Sequence, residues 1–304
     1  MIKRRSGSRT ARDRGAALIL VVWAVGLMAV IGALIARDAH LDALEGNRLR
    51  DALAGQMLVQ SGQRMALARL AQRANELSSG FPIVCDLQGG RVVINARPIT
   101  GFVDINAAQE DTLAALFGAL GVSGPDAMSY AARIADYRDG DTAIRAGGAE
   151  APDYARAGLS YGPANRPFTR TGELSEVLGL PPDLLSAVQP HVTTHSYSVQ
   201  IDPRFAAPEV LVALEVFGSR AGMSLEGDAW PLNTDGAAPL FAGVPVVIEV
   251  SAKTSSGFVT GTAATYGPQE SLLPASRRLL EERATNPEPV LAAGTSLPHP
   301  EPCY

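Results

Sequence analysis

The sequence predicts an α+β protein in which a long N-terminal helix packs on a small antiparallel sheet and a large helical segment is inserted between the two halves of that sheet. Three observations predict it. An uncharged run of 21 residues, 16–36, continues into a stretch dominated by Ala, Leu, Arg and Gln as far as about Leu77. Two pairs of short apolar runs, 81–87 with 90–106 and 244–252 with 257–266, each meet at a turn sequence. Residues 107–190, between the pairs, show helical apolar spacing instead.

The apolar run comes first in the chain. As a helix rising ~1.5 Å per residue it spans roughly the ~30 Å hydrocarbon core of a bilayer. Residues 1–14 hold six basic side chains against one acid, Asp13, while the whole chain carries −5, so everything after Gly15 stands at −10. A basic leader before the run and an acidic body after it put the N-terminus in the cytoplasm and the body outside. In a diderm bacterium this is a single-pass inner-membrane protein with a periplasmic body. A body so acidic repels nucleic acid and anionic lipid.

The leader ends in Arg14-Gly15 immediately before the apolar run. This resembles the type IV prepilin signal, which implies cleavage after Gly15 by a prepilin peptidase, methylation of Ala16 as the new N-terminus, and retention of the helix. A plain signal anchor can also carry a glycine here, and the edge GALIARDAH is a weaker, Ala-x-Ala-like alternative site. Cleavage after Gly15 makes Leu20 the fifth mature residue, where most pilin-like subunits carry a glutamate. In such fibres that carboxylate pairs with the N-terminal amine of the subunit above. A tip subunit has nothing above it, so Leu20 agrees with a tip position.

Beyond residue 36 the helix admits polar positions between Leu41, Leu44, Leu49, Leu53, Met57 and Leu58. Gly46, Gly55 and Gly62 count against its regularity, and Met57 and Met65 read as core contacts. FPIVCDL and GRVVINARPITGFVDIN, joined through Gly89-Gly90, read as a hairpin, as do VPVVIEVSA and GFVTGTAATY around Lys253–Ser256. LLPASRRLLEERATNPEPV reads equally as helix or strand before a Pro-rich tail, and the last strand has no definite place.

The inserted segment carries a resemblance. FVDINAAQEDTLAALFGALGVSGPDAMSYAARIADYRDGD is similar to the inserted helical domain of the minor pseudopilin K family of type II secretion (general secretion pathway protein K). The pattern runs from a DxN-A element through a Leu-rich helix to an acidic turn, here Asp136, Tyr137, Asp139 and Asp141. GGAEAPDY (147–154), GPANRPF (162–168), TGELSEVLGL (171–180) and HVTTHSYSVQID (191–202) follow in the family's order. The resemblance implies a pilin-like fold with a helix-hairpin-helix or SAM-like insertion and a non-enzymatic role at the pseudopilus tip. It also implies I- and J-type minor pseudopilins, other pseudopilins, the inner-membrane assembly platform and the prepilin peptidase as partners. The expected organisation is leader 1–15, transmembrane helix 16–36, periplasmic helix and first strands 37–106, inserted domain 107–190, remaining pilin-like part 191–283 and flexible tail 284–304.

The same segment has a second reading. LFGALGV-GPDA and GELSEVLGLPPDLLSAVQP resemble helix-hairpin-helix modules, which offer backbone amides to DNA phosphate. Phosphate binding needs lysine or arginine close by, yet residues 104–190 hold twelve acids and six bases. The balance favours a protein partner over a membrane-tethered DNA receptor, and no nucleic-acid ligand is expected.

No P-loop or HExxH pattern occurs, and no enzyme is expected. His191 and His195 alternate with other residues on an expected strand, which would put both on one face as a conceivable zinc pair or as two ordinary strand-edge histidines. Asp136, Asp139, Asp141, Glu150 and Asp153 supply hard oxygen donors within a short stretch, and the K family is associated with calcium; they are either calcium ligands or a solvated, capped helix end. No other cofactor is expected. The two cysteines, Cys85 and Cys303, show no metal spacing; in an oxidising compartment they can pair and hold the C-terminal tail, or stay as isolated thiols.

Overall fold

A computed structural model of the chain describes residues 12–72, 81–220, 243–268 and 278–285, together with residue 291. The helix former-rich N-terminal stretch folds as a single helix, α1, Arg12–Gln72. The chain divides into two units, Met1–Ala54 and Gly55–Tyr304.

In the first unit the described side chains from Leu18 to Arg37 are exposed all round the helix, Trp23 at 75%. Among the described residues this is the one helix long and apolar enough to cross a membrane. An apolar surface of this extent on every helix face is stable in lipid and not in water.

In the second unit the remaining turns of α1 lie on a five-stranded sheet. Its strands are β1 (Ile83–Leu87), β2 (Gly90–Pro98), β5 (Val246–Thr254), β6 (Val259–Tyr266) and β7 (Leu279–Ala284), in spatial order β1-β2-β5-β6-β7 and antiparallel throughout. Leu58, Val59, Ala66 and Leu70 of α1 share one core with Ile83, Val92, Ile94, Val246, Ile248, Val250, Ala252 and Ala264. The glycines that weaken the helix as a sequence are what let it approach. A Cβ at Gly62 would stand 2.7 Å from Val250 Cγ1, and one at Gly55 would stand 2.8 Å from Thr260 Cγ2. The opposite face of the sheet is covered as well, by Ile99 and Phe102 against Val247 and Ala263.

The last strand resolves the helix-or-strand alternative in favour of a strand. Its polarity is inverted: Leu279 and Leu280 face out while Glu281 is buried. A charge turned inward is a familiar way of blunting a sheet edge, and it hides the strand from an alternating-hydrophobicity reading.

Pro98 pairs with Val246, so everything between β2 and β5 leaves and rejoins the sheet at one rung. That segment contains β3 (Val103–Asp104), α2 (Glu110–Ala119), α3 (Gly124–Arg138), α4 (Ala151–Arg156), a 3₁₀ turn (Thr171–Glu176), α5 (Pro182–Val188), β4 (Val192–Thr193) and α6 (Pro208–Arg220). Their buried side chains form a single core from Val103 to Ala213, continuing past residue 190 into α6. The expected strand through HVTTHSYSVQID is only two residues long and pairs parallel with β3. The α+β expectation, with a helical insertion between sheet halves, holds.

Candidate functional site

The acidic turn follows directly from α3. Asp136 is fully buried on the last turn of that helix, and the loop after it wraps its carboxylate. Oδ2 accepts the backbone N–H of Ala149 at 2.9 Å and of Arg145 at 3.3 Å. Gly148 sits so close to this carboxylate that any side chain there would collide with it. Oδ1 accepts Arg145 Nη1 at 2.7 Å. The same Nη1 bonds Asp139, and Arg145 Nε reaches Glu110 Oε1 at 2.7 Å. Arg145 is thus held by three carboxylates, and its bonds to Asp136 and Asp139 push its already high pKa higher.

The five acids taken together as calcium ligands do not act as one set. Asp141 is exposed and accepts Ala143 N–H at 2.8 Å. Asp153 closes the start of α4, accepting Glu150 N–H at 2.9 Å, and pairs with Arg156 at 2.6 Å. Glu150 is 2% exposed and stands at the start of α4, in a capping box with Asp153. Burial first, and then the charges of Asp136 and Asp139, push its pKa up. Among the described residues no group of three or more His, Cys, Asp or Glu side chains could hold a metal ion. Arg145 and Glu110 are the participants that the sequence reading missed. A lone arginine inside an acidic loop is the signal that could have found Arg145; nothing marks Glu110.

The aromatic positions of the same motifs are structural. Tyr137 stacks on Phe168 with ring centroids 4.8 Å apart and donates its hydroxyl to Glu176 at 2.8 Å, and burial and Glu176 raise its pKa. The Tyr154 hydroxyl accepts Leu178 N–H at 3.0 Å. Asp104, the first residue of the DxN-A element, uses Oδ2 for the N–H groups of Ser196 and Tyr197 and Oδ1 for that of Asn106. The sequence motif therefore ties β3 to the segment after β4. At the α2–α3 hairpin, Ser123 Oγ donates to Asp126 Oδ2 at 2.6 Å, so a carboxylate stands where a helix-hairpin-helix would receive a phosphate.

The two histidines fall on either side of the two-residue β4. His191 lies before β4, with Nδ1 4.0 Å from Glu209, and burial lowers its pKa. His195 lies after β4, with Nε2 3.6 Å from Glu281 Oε2. Glu281 Oε1 also accepts Thr171 N–H at 2.9 Å and Thr171 Oγ1 at 2.6 Å, and Arg283 donates to Thr171 Oγ1 at 3.3 Å. This buried polar junction ties β7 to the inserted helices.

At the N-terminus Gly15 and Ala16 fall in the first turns of α1, and Leu20 is 71% exposed. Cys85 is buried on β1, whereas Cys303 lies outside the described residues, as do residues 1–11 of the leader and most of the tail.

Residues 92–196 match the model of the family described as type II secretion system (T2SS), protein K. The match takes in the acidic turn and both members of the β3–β4 pair. A type II secretion system protein K from Pectobacterium carotovorum subsp. carotovorum is 27% identical over 206 residues, covering 60% of this chain and 63% of that one. A protein K of the same system from Escherichia coli (strain K12) is 24% identical over 202 residues, covering 59% of this chain and 62% of that one. The chain thus spans somewhat less than two thirds of the length of these curated relatives. A chain in the crystal structure of the GspK-GspI-GspJ complex from the enterotoxigenic Escherichia coli type 2 secretion system has the same fold. Its TM-score is 0.54 at 16% identity, covering 80% of this chain and 99% of that one.

Proposed function

We propose that the chain is a minor pseudopilin of the type II secretion system, a reading supported by the match of residues 92–196 to the protein K model. In this reading α1 holds it in the inner membrane with the body in the periplasm. It stands at the pseudopilus tip with I- and J-type minor pseudopilins and primes assembly of the fibre for protein export. The observation that carries the reading is the joining of two features in one chain: an apolar helix exposed on all faces, and a K-type domain inserted at a single rung of a helix-backed sheet. The solved relative of the same fold is a complex of K, I and J subunits, which supports the choice of partners. Placement at the tip is supported by Leu20 and by bulk, because a subunit carrying so large an insertion clashes if repeated along a shaft.

The test is co-expression with a prepilin peptidase and the I- and J-type subunits. The expected result is loss of residues 1–15, an N-methylated Ala16, and recovery of the chain with both partners from detergent extracts. A chain that stays unprocessed and purifies away from both partners overturns the proposal.

A further inference from the structure

The acidic turn contains its own cation. We infer that Arg145 occupies the place of a divalent ion in this turn, so that the inserted domain folds without calcium and would acquire a need for it on losing Arg145.

Three observations support this. First, Arg145 engages the very oxygens a metal would need. Its guanidinium bridges Glu110, Asp136 and Asp139, which come from α2, the end of α3 and the residue capping it. Carboxylate oxygens are the donors a divalent ion such as calcium draws on, and here the guanidinium takes them. Second, both oxygens of Asp136 are already engaged. Oδ1 is taken by the guanidinium, and Oδ2 by two backbone N–H groups from a loop that passes too close to admit a side chain at Gly148. Charge-assisted bonds to a fully buried carboxylate are strong and directional, and breaking them would strand a buried charge. Third, a further carboxylate stays out of the group: Glu150, almost wholly buried nearby, is used in the capping box that opens α4.

Arg138 adds a second positive charge to the group. It donates to Ala108 O at 2.6 Å and also to Ile105 O, and it feels the charges of Glu110 and Asp139. Arg138 thus adds a second guanidinium beside Glu110 and Asp139. The assignment is independent of any role in secretion.

The test uses the full chain in detergent, unfolded thermally in EGTA and in millimolar CaCl2 and titrated calorimetrically with CaCl2. Wild type is expected to keep one midpoint in both buffers and to show no binding heat. Arg145→Gln is expected to unfold several degrees lower in EGTA and to recover part of the loss in CaCl2. The double variant Arg145→Gln/Asp139→Asn is expected to recover part of the loss without calcium, because one unbalanced acid has been removed. A wild-type midpoint that falls in EGTA, or a saturable calcium isotherm for wild type, overturns the inference even if Arg145→Gln does not fold. So does an Arg145→Gln midpoint equal to wild type in EGTA.

Discussion

Pro98 and Val246 face each other across the β2–β5 ladder, although the whole inserted domain separates them in sequence. The sheet therefore sees the insertion as a single long loop whose ends already meet. Loop-closure entropy grows slowly with length, by about 0.6 kcal/mol per doubling, so a sheet can accept a domain at such a rung at little cost.

It follows that residues 99–245 can be removed. Joining Pro98 to Val246 through a short Gly/Ser turn should leave α1 and the five strands folded, with a cooperative but lower unfolding midpoint. The lower midpoint is expected because Ile99 and Phe102 no longer cover Val247 and Ala263. Circular dichroism and a single urea transition check this. A chain without cooperative unfolding would mean that the insertion holds the sheet together.

The approach of α1 to the sheet gives a prediction of opposite sign to helix propensity. Alanine is the better helix former by about 1 kcal/mol, yet Gly62→Ala places a methyl 2.7 Å from Val250 Cγ1 and should destabilise by about 1–3 kcal/mol. Gly46 has nothing within 4 Å of its virtual Cβ, so Gly46→Ala should cost nothing. Urea midpoints of the two variants separate packing from propensity.

What the sequence disclosed and what it hid divide along physical lines. The apolar helix, both hairpins and the helical insertion were legible because each has its own period and turn residues. β7 was not, because its leucines face solvent and its glutamate faces inward, a pattern set by its neighbours. The acids at 136, 139 and 150 were legible as a group; their counter-charge was not, since Arg145 is joined to Glu110 only once α2 has packed on α3. The histidines at 191 and 195 suggested one strand face, but the parallel pairing with β3 lasts two residues and leaves both outside it. Gly55 and Gly62 looked like flaws in a helix until Thr260 and Val250 lay beneath them.

His191 makes the fold sensitive to acid. Its folded pKa lies below the ordinary 6.5, chiefly through burial, with Arg97 and Arg283 adding to the effect and Glu209 and Glu249 opposing it. The folded chain therefore binds fewer protons at this site than the unfolded chain does. The contribution is fully present above 6.5 and declines as pH falls through the lower folded value. Stability measured in urea from about pH 8 to about pH 5 should fall on the acid side, and His191→Gln should flatten that slope whatever it does to absolute stability. An unchanged slope would assign the acid sensitivity to other groups.

Leu20 offers the sharpest test of position in a fibre. In a repeated subunit a glutamate at the fifth mature position has an amine from the subunit above to pair with; at the tip it has none. A carboxylate introduced there stays unpaired in an apolar helix, where charged side chains are costly to hold. On the proposed reading Leu20→Glu should therefore be cleaved after Gly15 as before, since the signal is intact, but should weaken recovery with the I- and J-type subunits and reduce export. Leu20→Ile, which keeps the apolar surface, should do neither. If Leu20→Glu instead assembles and exports as well as wild type, a pairing amine must lie above it, and the tip is occupied by another subunit.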